Sequence, residues 1–211
     1  MEDRLQQFKD KLNLKGISKY GNYADFFKSI ADDLLNHVFI AKDDKFYEII
    51  DIEFYLFSHA HPDVITYPRQ IDGGQWYFHQ SGVDLSFASD DTVFGGILIR
   101  GICEHKDGAT PIIGPLKCVD KLWDQFDAFN PSPVSYPRIV MSDISLGKQI
   151  ISSKRWIKVT KSQTHEGKIK NWIERLPKSI NRADLPPISE LVNNVFNEPI
   201  RFQAKTLDEV S

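Results

Sequence analysis

Two acidic residues and a tyrosine occupy alternate positions of one β-branched and aromatic run, and two histidines follow it. The run reads Phe-Tyr-Glu-Ile-Ile-Asp-Ile-Glu-Phe-Tyr-Leu-Phe, a composition typical of a β-strand. Because side chains alternate between the faces of a strand, Asp51, Glu53 and Tyr55 are predicted to share one face that leads to His59 and His61. Titratable groups on one ordered face are typical of a functional site. The alternative is a solvated strand face with the histidines in an ordinary loop.

Two further predicted strands carry residues that stand out. The segment Val93–Cys103 is strongly apolar, as in a central strand, and yet it carries Arg100 near its end, where a charge is unusual. The aromatic run Trp76-Tyr77-Phe78-His79 forms a shorter strand, and Gly82 ends it. These strands would bring an arginine and several rings to the same sheet as Glu53.

The remaining pattern predicts an α+β fold with one domain. Helical spacing of apolar residues appears in 4–14, 23–37, 117–129 and 188–197, and further strands are predicted at 38–41, 139–141 and 155–159. A mostly antiparallel, curved sheet with surrounding helices accommodates these elements. The expected organisation is a peripheral N-terminal helix in 1–20, the main domain in 21–204 and a frayed tail in 205–211.

Bulk composition restricts the class of protein. The 211 residues are 41% hydrophobic and 26% charged, as in ordinary globular domains. No run of about 18 apolar residues is present, so no membrane span is predicted, and the polar N-terminus predicts no secretory signal. The two cysteines, Cys103 and Cys118, have no metal-binding spacing and suit a reducing, intracellular and cytoplasmic location.

The charge is unevenly distributed along the chain. The net charge is −3, which by itself gives no argument for nucleic acid. Between Arg138 and Arg182, however, 11 Lys/Arg stand against 3 Asp/Glu, which leaves 15 basic and 26 acidic residues elsewhere. This asymmetry is compatible with a basic, polyanion-binding face and also with a simple solvated patch of lysines. Lys154, Arg155 and Lys158 are the predicted phosphate contacts, whereas Trp156 is expected to be a core residue.

Several segments, in this order, resemble the alkyladenine (3-methyladenine) DNA glycosylases. Residues 30–40 (Ile-Ala-Asp-Asp-Leu-Leu-Asn-His-Val-Phe-Ile) resemble the opening helix and strand of that family. Residues 50–56 (Ile-Asp-Ile-Glu-Phe-Tyr-Leu) are similar to its Ile-Val-Glu-Thr-Glu-Ala-Tyr-Leu. Residues 58–61 (Ser-His-Ala-His) are similar to its Ser-His-Ala-Tyr, and residues 67–69 (Tyr-Pro-Arg) to its Thr-Pro-Arg.

The resemblance continues into the next strands and returns at the end of the chain. Residues 74–82 resemble the aromatic hairpin strand of the family, and residues 97–101 (Ile-Leu-Ile-Arg-Gly) its Val-Leu-Ile-Arg-Ala. Residues 197–202 (Asn-Glu-Pro-Ile-Arg-Phe) resemble its closing Pro-x-Arg-Phe. Residues 27–103 carry most of the similarity, and it implies an alkyladenine glycosylase-like fold.

The resemblance implies a base-flipping enzyme that excises a damaged, alkylated or deaminated, purine from DNA. In such an enzyme Glu53 is the general base that activates water for attack at C1′, and Arg100 orients the carboxylate and the water. No cofactor or metal is required, the expected partner is DNA, and a monomer is expected.

The same resemblance implies an aromatic pocket for the extruded base. Tyr55 and His59 would sandwich the base with His61 adjacent, and Trp76 and Phe78 would form the stacking wall. One departure stands out, because Ser81 occupies the position of the tyrosine that in the family fills the gap left by the flipped nucleotide.

Two alternatives remain open. The fold could serve a non-catalytic protein that binds a nucleobase or a nucleic acid, which the absence of the wedge at Ser81 and the acidic balance favour. The spacing His59-x-His61-x-Asp63 also matches the start of the HxHxDH zinc motif of metallo-β-lactamase-like hydrolases, although Val64 stands where the final histidine belongs.

Overall fold

The computed structural model describes residues 2–124, 136–160 and 163–205. The helices within these residues are α1 (Glu2–Leu12), α2 (Tyr23–Asn36), α3 (Pro115–Leu122), α4 (His165–Glu174) and α5 (Ile188–Asn197), with 3-10 turns at Ile17–Lys19 and Arg182–Asp184. The strands are β1 (Val38–Lys42), β2 (Lys45–Ser58), β3 (His61–Pro62), β4 (Trp76–His79), β5 (Gly82–Ser86), β6 (Phe94–Glu104), β7 (Ile112–Ile113), β8 (Arg138–Met141), β9 (Gln149–Ser153) and β10 (Arg201–Lys205).

A single antiparallel sheet, which does not close on itself, organises the molecule. Its main strand order is β4-β5-β6-β2-β1-β8, and β2 lies at the centre. One edge of β2 pairs along its length with β6, while the other edge is shared by β1, β10 and β3. The predicted α+β class with an antiparallel sheet is therefore confirmed.

One face of the sheet carries the larger hydrophobic cluster, and we call it the core face. Helix α2 begins at the N-cap Asn22, whose side chain accepts a hydrogen bond from the Asp25 amide at 2.9 Å. Phe27, Ile30 and Leu34 of this helix are buried against the sheet, as their i, i+3, i+7 spacing predicts. The ring of Phe27 stacks on Phe54 of β2, with centroids 4.5 Å apart.

The opposite face carries a second, smaller cluster at one end. Phe57 of β2 and Phe94 of β6 are directly opposite each other and stack with centroids 4.9 Å apart. Helices α4 and α5 cover these rings through Ile169, Leu191 and Val195. Side chains alternate along a strand, so Glu53, four residues before Phe57 on β2, projects from the same face as Phe57. The rest of this face holds the polar candidate residues. We call it the site face.

Two predicted elements differ from the observed ones. Helix α1 was expected to be peripheral, but Phe8 and Leu12 are each only 2% exposed and belong to the core-face cluster. The strand predicted at 155–159 is wrong, because β9 at Gln149–Ser153 occupies the edge of β10 instead. Side chains alternate in both 149–153 and 155–159, but of these two segments only 149–153 pairs with a neighbouring strand, β10.

The ends of other predicted elements fall elsewhere. The helix predicted at 117–129 begins at Pro115 and ends at Leu122, and residues 125–129 lie outside the described residues. The predicted tail also lies outside them, apart from Lys205, which ends β10. Among the described residues, no helix combines the length and the apolar character needed to span a bilayer.

Candidate functional site on the site face of the sheet

Four strands contribute one residue each to a row across the site face. Glu53 of β2 is directly opposite Leu98 of β6, Leu98 is opposite Asp84 of β5, and Asp84 is opposite Tyr77 of β4. Residues directly opposite in an antiparallel pair project to the same side. This register fixes which of the predicted residues accompany Glu53.

The pairing of β2 with β6 has register shifts next to Arg100. The pairing skips Ile50 on one strand and Arg100 on the other, and such bulges redirect side chains next to functional sites. Arg100 Nη1 lies 3.1 Å from Glu53 Oε2, and Arg100 Nε lies 4.0 Å from Asp51 Oδ1. The resemblance implied that Glu53 and Arg100 are neighbours, and the two side chains are in contact. Their catalytic roles remain predictions.

Asp51 is held by the last strand of the chain. Arg201 of β10 donates to both carboxylate oxygens, with Nε to Oδ1 at 3.0 Å and Nη2 to Oδ2 at 2.5 Å, and Gln203 donates to Oδ2 at 3.3 Å. The hydrogen bonds to Asp51 raise the pKa of Arg201. The guanidiniums of Arg100 and Arg201 therefore offset the charges of the two buried carboxylates. A lone buried carboxylate would have no such compensation for its lost hydration.

Glu53 is almost fully buried and only partly satisfied. The Tyr55 hydroxyl donates to Oε1, and burial followed by the charge of Glu53 strongly raises the pKa of this phenol, so it stays protonated. Within residues 2–124, 136–160 and 163–205, Glu53 Oε2 and Arg100 Nε are buried atoms without a hydrogen-bond partner. Buried polar atoms are nearly always paired, and each exception calls for an explanation such as a catalytic role. Glu53 Oε2 is thus held by its ion pair with Arg100 Nη1 and by no aligned hydrogen bond.

Arg155 is a structural residue of this network and is not placed to contact phosphate. It is 4% exposed, and its Nη1 and Nη2 donate to the two oxygens of Asp63 at 3.0 and 2.8 Å. Its guanidinium also lies 4.7 Å from the ring centroid of Tyr55. The predicted DNA contact is therefore wrong for Arg155. Lys154 and Lys158 are exposed, and for them the prediction stands.

Trp76 and Phe78 do not face Glu53. Trp76 is opposite Leu85, which is opposite Ile97 and then Phe54, so the row that contains Trp76 lies on the core face. Phe78 shares that face because it is two residues further along β4. Both rings contact Trp123, at centroid distances of 5.3 and 4.9 Å. Neither ring therefore forms the predicted stacking wall beside Glu53.

The two histidines also lie apart from Glu53. His59 is exposed in the turn after β2, and its ring lies 6.5 Å from that of Phe57, measured between centroids. His61 is buried against Tyr23, 4.8 Å between centroids, and its Nε2 lies 3.0 Å from Glu198. Burial would lower the pKa of His61, but the hydrogen bond and charge of Glu198 raise it overall. Of the predicted base-binding residues, only Tyr55 contacts the carboxylate.

A second polar group lies on the site face, and it was not predicted from the sequence. Arg69 Nη1 donates to Asp84 at 2.7 Å, His79 Nε2 lies 2.9 Å from the other oxygen of Asp84, and the Arg69 guanidinium lies 4.0 Å from the Tyr77 ring centroid. A Cβ on Gly96 would come within 2.8 Å of Asp84, so the pair packs over this glycine, opposite Tyr55. The alternation of Asp84 with apolar residues in β5 was the available signal.

The zinc alternative receives no support from the geometry. In the part of the chain that the structure describes, no group of three or more His, Cys, Asp or Glu residues is arranged to hold a metal ion. His61 is bonded to Glu198 and the Leu56 carbonyl, Asp63 is paired with Arg155, and His59 is exposed. The three side chains of the His-x-His-x-Asp pattern do not converge.

Two cavities lie beside the hydrogen-bonded pair of His61 and Glu198. One, of about 510 Å³, is lined by Asp63, Asn193, Asn197 and neighbouring residues, and another, of about 560 Å³, lies beside Tyr23. Both have His61 and Glu198 in their walls, and neither is lined by Glu53 or Arg100. The buried carboxylate of Glu53 therefore lies on the site face of the sheet and lines neither of these two cavities.

Comparisons with known proteins leave the family open. The chain is similar to the uncharacterized protein L759 of Acanthamoeba polyphaga mimivirus, with 29% identity over 128 residues, which cover 49% of this chain and 59% of the viral protein. The chain thus spans about three fifths of that relative's length. No family model matches the sequence, and no solved structure matches the fold.

Proposed function

We propose that the protein hydrolyses the N-glycosidic bond of a damaged purine in DNA, with Glu53 as general base. The observation that carries this proposal is the ion pair between Glu53 Oε2 and Arg100 Nη1, 3.1 Å apart on one face of the sheet, in which Oε2 accepts no well-aligned hydrogen bond. The resemblance to the alkyladenine glycosylases suggests the same pair from sequence. A carboxylate is a suitable general base for water, and a neighbouring guanidinium can hold both the carboxylate and the water in position.

The proposed reaction uses few groups. Water attacks C1′ and gives its proton to Glu53 Oε2, while the bond from C1′ to the base nitrogen breaks and the base leaves with the electron pair. The carboxylate stabilises the positive charge that develops on the sugar. Tyr55 holds the other carboxylate oxygen, and Arg100 positions the water next to Oε2. An alkylated purine is the most favourable leaving group, because it already carries positive charge.

The test is base release in a single turnover from oligonucleotides that contain alkylated or deaminated purines, as duplexes and as single strands. Glu53→Gln keeps the acceptor for Tyr55 but cannot take a proton, so release should fall by about 10² to 10⁴. Glu104→Gln is the matched control, because Glu104 lies at the far end of β6 and pairs with Lys106. Equal rates for the parent and Glu53→Gln would contradict the proposal.

A second candidate function, binding of nucleic acid without catalysis, is favoured by one observation. Trp76 and Phe78 are on the core face, so the aromatic pocket that should hold an extruded purine is not assembled from the predicted residues. The same assay separates the two functions, because a binder retains the oligonucleotide and releases no base from any of the substrates.

An intracellular, reducing location also stays a proposal, and it is supported by the free thiols of Cys103 and Cys118.

A further inference from the structure

Trp156 is an exposed aromatic residue, although its sequence pattern suggested a core residue. Its exposed fraction is 78%, the highest of any large aromatic side chain within the described ranges 2–124, 136–160 and 163–205. Burial of an indole is normally strongly favourable, and exposed Trp is enriched where a partner supplies the missing contact. The exposure of Trp156 therefore calls for a ligand with an apolar, planar surface.

The orientation of Trp156 is fixed by the residues on either side. In the segment 154–160 the side chains alternate, with Arg155 and Ile157 directed inward and Lys154, Trp156 and Lys158 exposed. Arg155 is anchored by Asp63, and Ile157 packs against the second cluster. An extended segment with two inward anchors must present the residues between them to solvent. The outward row is therefore lysine, tryptophan, lysine.

The charge around this row is positive. The region between residues 138 and 182 carries 11 Lys/Arg and 3 Asp/Glu, and of these basic residues Arg155 is paired with Asp63 and Lys148 with Glu48. Lys154 Nζ donates to the neutral amide oxygen of Asn197 at 2.8 Å, so its charge stays uncompensated by this hydrogen bond. Lys168 donates to the Lys158 carbonyl, which brings another ammonium group to the row. A polyanion with planar groups is complementary to this surface.

The row is also connected to the candidate site. Arg155, whose neighbour in the chain is Trp156, lies over the ring of Tyr55, and the Tyr55 hydroxyl donates to Glu53. The segment that carries Trp156 is therefore packed against the site face through Arg155.

We propose that Lys154, Trp156 and Lys158 bind single-stranded nucleic acid, with the indole stacked on a base and the ammonium groups on neighbouring phosphates. This inference rests on the proposed function for its biological meaning, but the binding itself does not require catalysis. Every base has a π-face, so the stacking tolerates any sequence. A single strand is favoured over a duplex because its bases are free to stack on one exposed ring.

The experiment measures binding of a fluorescein-labelled oligothymidine of about 16 nucleotides by anisotropy at low salt. Trp156→Ala should weaken binding by about 5- to 150-fold, which is the effect of removing one base–aromatic stack. Trp156→Phe should restore most of the affinity, because the smaller ring can still stack. Ile144→Ala, which removes another large exposed side chain (80% exposed), is the matched control and should bind as the parent does.

A second measurement separates stacking from charge. Replacing Lys154 and Lys158 with serine should reduce the slope of log affinity against log salt by about 0.7 for each phosphate that a lysine no longer neutralises, whereas Trp156→Ala should leave that slope unchanged. Undamaged oligothymidine contains no purine, so these results are independent of the base-release assay. Parental affinity in Trp156→Ala, or binding of duplex alone, would overturn the inference. Base release failing while Trp156-dependent binding persists would overturn only the proposed reaction.

Discussion

Single residues in one short segment have opposite roles here. Lys154, Arg155 and Lys158 lie within five residues of one another and are all basic, so the sequence predicts the same role, contact with phosphate, for all three. Arg155 instead places its guanidinium against Asp63, the Phe54 carbonyl and the Tyr55 ring. Burying this charge costs solvation that only a well-oriented partner can offset. Arg155 therefore holds the segment next to the site, whereas Lys154 and Lys158 remain exposed to solvent.

We predict that Arg155→Met destabilises the protein by about 3–5 kcal/mol, because Asp63 would be left as an uncompensated buried charge. The double variant Asp63→Asn/Arg155→Met should recover a large part of this stability, because no unpaired charge remains. Urea denaturation of the parent, both single variants and the double variant gives the coupling energy. Lys15→Met, at an exposed pair with Asp10, is the control and should leave the midpoint unchanged. A cost below about 1 kcal/mol for Arg155→Met would contradict a buried pair.

Among the secondary-structure elements, the pairing of β2 with β6 positions the site. Gly95 and Gly96 lie opposite Leu56 and Tyr55, and the absence of side chains lets the two strands and the Arg69–Asp84 pair approach closely. The register shifts near Asp51 and Arg100 then set the two charges beside Glu53. Close approach of backbones is a recognised reason for glycine within a strand.

We predict that Gly95→Ala is destabilising by at least about 1–3 kcal/mol, the usual cost of overpacking. Its Cβ would lie 2.1 Å from the Tyr55 carbonyl oxygen, which is a backbone atom and cannot move aside alone. Gly21→Ala is the matched control, because a Cβ there has no neighbour within 4 Å, and it should be neutral or slightly stabilising. Thermal and urea unfolding of both variants test this, and equal midpoints would show that β2 and β6 can separate without cost.

In the molecule as a whole, the main hydrophobic core and the polar network lie on opposite faces of the sheet. The core face carries α1 and α2 over the larger cluster, and the site face combines the polar network with the cluster beneath α4 and α5. Helix α1 is part of the main core through Phe8 and Leu12, so the described structure shows no separate N-terminal unit. Its contribution to stability should then be that of a core element.

We predict that Phe8→Ala lowers the free energy of unfolding by about 3–5 kcal/mol, the usual cost of truncating a buried phenylalanine. The decrease should appear in the same cooperative transition by circular dichroism and by tryptophan fluorescence. Gln7→Ala, on the exposed side of the same helix, should have little effect. If Phe8→Ala left the main transition in place, α1 would be a peripheral helix after all.

Elements whose patterns are local follow directly from the order of residues in the chain. The cap at Asn22, the helical stripe of α2, the bounds of α5 and the shared face of Asp51, Glu53 and Tyr55 all follow from spacing. The contact of Glu53 with Arg100 was anticipated through a resemblance, because the two strands that carry these residues occur in the same order as in the glycosylase family.

Which ring faces which acid depended instead on tertiary contacts. In β4 every residue is aromatic, so a period of two cannot tell whether Trp76 and Phe78 or Tyr77 and His79 accompany Glu53, and the pairing with β5 and β6 makes that choice. Likewise, Arg155 is buried and Trp156 exposed because Asp63, 92 residues away in the chain, supplies the partner charge. Local patterns encode local geometry, but the faces of a sheet and the partners of a charge are set by contacts between segments distant in sequence.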